Sequence, residues 1–262
     1  MKLAIVQTDP VFGQKEKNIS QALDMMKSVQ ADVYVLPELF ASGYNFSTIE
    51  EVQDVAEHFK NGQTFSTFKK FSEDHHCYIV YGFPEMDGND FYNSAGMIGF
   101  DGRAELYRKI HLFDREKLFF QPGNLGFNVY ETPFGKIGMM ICFDWYFPES
   151  ARTLAAKGTQ LIAHPSNLVL PNCPNSMPVR CLENRVFAAT ANRIGTEDRD
   201  GVSLTYIGQS QITSIKGEIL HRSPIDKSDI CVKDIDLSLA LNKNVNERNH
   251  LFNDRRPEWY VQ

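Results

Sequence analysis

The sequence predicts a layered α/β domain, and three observations carry the prediction. Short apolar runs rich in β-branched and aromatic residues alternate with stretches of helical periodicity from the first residues onward. Several later runs are joined by tight turns instead of helices, which mixes antiparallel strands into the pattern and argues against a purely parallel, doubly wound sheet. The chain has 262 residues, 42% apolar and 23% charged, which suffices to bury a substantial core.

In chain order, "LAIVQ" reads as a strand, residues 17 to 30 as an amphipathic helix and "DVYVLPE" as a second strand. A helix over residues 64 to 75 precedes three strands, "YIVYGF", "NSAGMIGF" and "AELYRKIHLF", with Asp101-Gly102 as the hairpin turn between the last two. "FNVYETPFGKIGMMIC" repeats the hairpin, turning at Pro133 to Gly135. The helix "PESARTLAAKG" follows, with Pro148 in its first turn and Gly158 at its end. "TQLIAHPSN" is a strand, Leu170 to Pro178 a proline-rich loop, and "VRCLENRVFAATAN" a helix running into another strand. The remainder, from Gly208 through "ITSIKGEILHRS" to "ICVKDIDL", reads as antiparallel strands with a Lys216-Gly217 turn, and a polar tail ends the chain. No linker, low-complexity segment or internal repeat divides it, so one domain over residues 1–262 is expected.

Composition excludes several function classes. A net charge of -6 without a basic stripe gives no footprint for nucleic acid. The apolar run of "MKLAIVQTDP" is too short for a signal peptide and no stretch of eighteen apolar residues occurs, so a cytoplasmic protein without membrane contact is expected. Five scattered cysteines without a CxxC pair argue against a disulfide framework or zinc knuckle. His75 and His76 in "DHHCYIV" do not make a metal site, because adjacent strand residues face opposite ways.

Three chemistry-bearing residues stand near the carboxyl ends of three predicted strands: Glu38 after "VYVLP", Lys109 in "ELYRKIHLF" and Cys142 after "IGMMI". That edge of an α/β sheet is where loops leave a crevice for ligands. A thiol needs a base, which a carboxylate supplies, and an ammonium stabilises the oxyanion that forms when sulfur attacks a carbonyl. The helix beginning after Phe147 presents its positive end near Cys142 and is expected to favour the thiolate. Taken singly, each has an ordinary reading: a core cysteine, a solvated strand end, and a surface lysine beside Arg108 on an edge strand.

Together, "VLPELFASGY", "YRKIHLF" and "MMICFDWYFPESAR" resemble the signature of the nitrilase superfamily of carbon-nitrogen hydrolases, with further likeness at "YNSA", "HPSN", "RCLENR" and "DRRPE". The resemblance implies a four-layer α-β-β-α sandwich that dimerises, and a Glu38-Lys109-Cys142 triad. Glu116, in "DREKLFFQPG", matches the family's second glutamate, and the backbone N–H of Phe143 its second oxyanion donor. By the same likeness Tyr44, Trp145, Tyr146, Ser166, Asn167 and Leu168 line the acyl pocket. The implied reaction cleaves a small aliphatic amide or nitrile through a cysteine thioester, releasing ammonia without metal or cofactor. Phe143 and Asp144 after the cysteine fit both amidases and small microbial aliphatic nitrilases. The alternatives are a Cys-His hydrolase of amidotransferase type, or a catalytically silent metabolite-binding protein. A homodimer is expected, with the tail from about residue 243 crossing the partner.

Overall fold

The computed structural model describes residues 1–260 and holds two six-stranded sheets, packed face to face with helices on both outer sides. The first sheet contains β1 (Lys2–Gln7), β2 (Val33–Val35), β3 (Tyr78–Asp87), β4 (Asp90–Gly99) and β5 (Ala104–Arg108). The second contains β6 (Val129–Thr132), β7 (Gly135–Met139), β8 (Leu161–Pro165) and β9 (Phe187–Ala191). A small hairpin, β10 (Thr196–Arg199) with β11 (Val202–Thr205), stands apart. Two further strands, β12 (Gln211–Thr213) and β13 (Ile219–Arg222), complete the second sheet. β14 (Asp229–Asp234) crosses to the first and pairs antiparallel with β1. β1, β2 and β3 run parallel, as do β7, β8 and β9; the outer strands of both sheets are antiparallel.

Period-two alternation assigns each side chain a layer. Leu3, Ile5, Val33, Val35, Tyr78, Val80, Met97 and Tyr107 point from the first sheet into the core shared with the second. Ala4, Val6, Tyr34, Ile79, Tyr81 and Ile98 point the other way. They meet α1 (Lys15–Lys27), which buries Ile19, Ala22 and Met26, and α3 (Gln63–His75), which buries Phe68 and Phe71. Because both faces are covered, "LAIVQ" reads as an unbroken apolar run. On the outer side of the second sheet lie α4 (Pro148–Ala156) and α5 (Cys173–Asn184). The four-layer α-β-β-α order is the one expected from the sequence.

The structure departs from the expected elements in several places. The proline-rich segment to Pro178 is not all loop: α5 begins at Cys173, with Pro174 in its first turn, where its missing N–H costs no helical bond. The short helix α2 (Ile49–Val55), capped by the Thr48 hydroxyl, gave no clear periodicity, and the β10–β11 hairpin was not anticipated. β5 ends at Arg108 and β7 at Met139, so Lys109 and Cys142 lie just past their strands. In the tail, the Arg152 guanidinium lies over the Phe252 ring, and Lys243 donates to the carbonyls of Asn184 and Arg185. Part of the tail therefore rests on its own subunit. Val261 and Gln262, also in that tail, lie outside the described residues.

Candidate active site

Each side chain of the predicted triad sits on an irregular segment directly after a strand. Glu38 follows β2 past Pro37, where β3 comes so close that a Cβ on Gly82 would lie 2.5 Å from the Glu38 Cα. Lys109 follows β5, and a Cβ on Gly123 would meet the Arg108 carbonyl oxygen at 2.0 Å. Only glycine permits these two approaches. Cys142 opens a 3-10 turn after β7 with φ +40°, in the left-handed region. Leu39 (φ +47°), beside Glu38, and Asp114 (φ +45°), two residues before Glu116, share that rare conformation.

Lys109 is the centre of the arrangement. Its Nζ donates to Glu38 Oε1 at 2.6 Å and to Glu116 Oε1 at 2.7 Å, and all three side chains are buried. Glu38 Oε1 also accepts from Asn93 Nδ2 at 2.6 Å, while its Oε2 has no protein partner. Glu116 Oε1 accepts from the Tyr44 hydroxyl at 2.5 Å. The lysine is thus locked between two carboxylates, and one carboxylate oxygen stays available. Arg108, read beside it as a surface charge, is buried as well. It forks onto Glu85 at 2.6 and 2.9 Å, reaches Asp87 at 2.7 Å and lies over the Tyr92 ring.

Burial and mutual charge shift these groups. Burial pushes the Glu38 carboxyl up to about 7, with Lys109 opposing and Glu116 adding to the rise. Burial works against the Lys109 charge, but Glu116 and Glu38 outweigh it and hold the ammonium above its usual range. Cys142 is only 6% exposed. Burial first, then the Glu38 carboxylate, raise its thiol well above the ordinary value, with Lys109 pulling the other way. The pull toward the thiolate comes from Lys109 and a backbone hydrogen bond from Asn167, and burial exceeds it.

Phe143, Trp145, Asn167 and Leu168 line a narrow cleft of about 20 Å³ with Cys142. Tyr146 also borders it but is 54% exposed. Tyr44 and Glu116 line an adjoining small cavity. Ser166 is not brought to the cleft: its hydroxyl faces His164, at 3.2 Å from Nε2 and 3.3 Å from the carbonyl oxygen. A larger cavity of about 660 Å³ opens beyond His111, Phe143 and Phe147 and contains none of the triad. Of the three triad residues, Cys142 alone borders the small cleft.

Sequence reasoning missed several supporting groups. Asp144, fully buried, accepts from Ile141 N–H at 2.8 Å, Tyr107 OH at 2.7 Å, and His111 through Nδ1 at 2.7 Å and N–H at 3.2 Å. The alternation Tyr107, Lys109, His111 was its available signal. His164 Nε2 donates to the Cys142 carbonyl at 2.9 Å and Nδ1 accepts from the Thr190 hydroxyl at 3.0 Å. Burial holds that imidazole down at about 4, hence neutral. From the unanticipated β10, Glu197 accepts from the backbone amides of Tyr44 and Asn45, steadying the loop beyond Glu38. Among the described residues no cluster of three or more His, Cys, Asp or Glu could hold a metal ion.

A four-layer sandwich with carboxylate, ammonium and thiol just past the ends of three strands, two in one sheet and one in the other, has the architecture of a nitrilase-type hydrolase. Comparison with known proteins agrees: residues 2–241 match the carbon-nitrogen hydrolase family, and the chain belongs to it. It is 48% identical to a nitrilase of Pyrococcus abyssi, over the whole length of both chains. It is also 30% identical to the N-carbamoylputrescine amidase of Arabidopsis thaliana, over 88% of this chain and 83% of that one. An amidase crystal structure from a Nesterenkonia species superposes with a TM-score of 0.80, covering 98% of this chain and 94% of that one, at 24% identity. The protein is an enzyme of the nitrilase superfamily, a carbon-nitrogen hydrolase.

Proposed function

We propose that the protein hydrolyses a small aliphatic amide or nitrile through a thioester on Cys142. The observation that carries this reading is the buried Lys109 ammonium held between Glu38 and Glu116, close enough to Cys142 for their charges to act on its thiol, with one Glu38 oxygen free of any protein partner. With an amide, Glu38 accepts the thiol proton as sulfur bonds to the carbonyl carbon, and the oxyanion is held by Lys109 Nζ and the Phe143 N–H. Glu38 then protonates the departing nitrogen, ammonia leaves, and a water that gives its proton to Glu38 attacks the thioester. The thiol leaves with that proton and the cycle closes. Glu116, anchored by Tyr44, fixes Lys109. A nitrile passes through a thioimidate before the same thioester.

A Cys-His hydrolase is disfavoured because His164, the histidine on the Cys142 turn, is engaged at both ring nitrogens, with the Cys142 carbonyl and the Thr190 hydroxyl. The narrow, aromatic cleft favours a compact acyl group lined by Trp145, Asn167 and Leu168. Exposed Val179 and Leu182 on α5, with Leu239, Leu241 and Trp259, suit a homodimer in which the tail of the single domain reaches the partner. Five unpaired cysteines, one of them the nucleophile, suit a reducing cytoplasm.

The test is ammonia release over a panel of small amides, ω-amides of dicarboxylates and aliphatic nitriles, with Cys142→Ala in parallel. Turnover of at least one class, abolished in the variant, is expected; turnover that survives Cys142→Ala overturns the reading.

A further inference from the structure

We propose that Asp144 is a positioning residue that fixes Lys109 against Cys142 across the two sheets, gripping the lysine segment through Tyr107 and His111. The inference rests on the proposed thioester chemistry and concerns how its geometry is held.

Lys109 extends from β5, the edge strand of the first sheet, and Cys142 from β7 in the second. The two sheets share no strand ladder. Face-to-face packing sets their separation but is non-directional, whereas a reacting thiol and its oxyanion donor need registry to within about 0.5 Å. A polar tie between the sheets at this point supplies direction.

Asp144 is that tie. It lies in the same 3-10 turn as Cys142, and its Oδ2 accepts from Ile141 N–H, the residue before the thiol, at 2.8 Å. The same oxygen accepts from the hydroxyl of Tyr107, two residues before Lys109, at 2.7 Å. Its Oδ1 accepts from His111, two residues after Lys109, at 2.7 Å from Nδ1 and 3.2 Å from the backbone N–H. One buried carboxylate therefore holds both flanks of the lysine and the nucleophile turn. The Tyr107 oxygen in turn accepts from Ile110 N–H at 3.3 Å, and the His111 ring lies flat on Phe147, 3.7 Å between centroids. Hydrogen bonds to an ionised carboxylate are the strong, directional kind.

The count also separates positioning from catalysis. A carboxylate offers about four acceptor sites, and Asp144 fills four with protein donors, leaving none for a substrate proton. Glu38, by contrast, keeps one oxygen unpartnered.

The test uses Tyr107→Phe and His111→Phe, which each remove one donor while keeping ring volume, and their double variant. Two rates are read: kcat for ammonia release, which needs the oxyanion donor, and alkylation of Cys142 by iodoacetamide, a displacement that forms no oxyanion. Each single variant is expected to lower kcat roughly tenfold, with KM within about twofold and alkylation within about threefold. In the double variant the losses are expected to combine non-additively, because both act on one acceptor. Asp144→Asn should recover part of the kcat lost in Asp144→Ala. Unchanged kcat in both single variants overturns the proposal. So does alkylation that falls in parallel with kcat, which signals general loosening. Should Tyr107→Phe not fold, His111→Phe, whose side chain is partly exposed, gives the same two readings. Cys142→Ala run alongside reports on the thioester reading separately, since its activity does not depend on registry.

Discussion

Glu38→Gln tests the base assignment with a change of one atom. The glutamine carbonyl oxygen can still accept from Lys109 and Asn93, so the cradle around the lysine survives while the capacity to take a proton is lost. Loss of a positioned general base costs roughly 10² to 10⁴ in rate, about 3 to 5 kcal/mol of transition-state stabilisation. The pH dependence gives a second, sharper figure. Burial places the Glu38 carboxyl at about 7, so at pH 5 only about 1% of the free enzyme carries the base, and kcat/KM falls roughly a hundredfold from its alkaline plateau. The sign is fixed: activity rises with pH through 7, because the deprotonated form is the active one. The assay is initial ammonia release from pH 5 to 9 for wild type and variant. A Glu38→Gln enzyme within tenfold of wild type, or one that keeps the same acid limb, refutes the assignment.

Other perturbations address the scaffold. Arg108→Ala leaves Glu85 buried with only the Ser94 hydroxyl for company, and the broken pair should cost about 3 to 5 kcal/mol, a fall in Tm of roughly 10 °C by calorimetry. A shift of only about 2 °C would contradict it. Gly82→Ala drives a Cβ to 2.5 Å from the Glu38 Cα and 2.7 Å from the Leu39 nitrogen. It should lower kcat by more than about tenfold, with about 1 to 3 kcal/mol lost in stability; a folded variant with wild-type kcat counts against the close approach. His164, held at about 4 when folded against an ordinary value near 6.5, takes up a proton only on unfolding between those limits. Its contribution is present above pH 6.5 and is lost on acidification, about 3 kcal/mol by pH 4. Urea unfolding at pH 7 and pH 4 should show that slope in wild type and a shallower one in His164→Gln; equal slopes would remove the histidine from the account.

Much of this site was legible because it is built where strands end. Glu38, Lys109 and Cys142 could be picked out as reactive types at three strand termini, and Asp101-Gly102 and Lys216-Gly217 as turns, since Gly102 and Gly217 adopt positive φ there. What was not legible depends on distance in three dimensions. Asp144 reads as an ordinary polar residue until Tyr107 and His111 arrive from the other sheet. Gly82 and Gly123 look like unremarkable strand and loop glycines until the backbones they admit are in place. Ser166 was expected in the pocket by likeness, but its hydroxyl is held by His164. The proline-rich start of α5 misled because proline is tolerated in a first helical turn.

The central claim is a covalent acyl-enzyme on Cys142, and rapid quenching tests it most directly. During turnover of an accepted amide or nitrile, mass spectrometry of the acid-quenched, digested protein should find the peptide containing Cys142 heavier by the acyl group. That adduct should decay as substrate is exhausted and be absent from Cys142→Ala. An unmodified Cys142 peptide throughout steady-state turnover, or turnover undiminished in Cys142→Ala, would contradict the account.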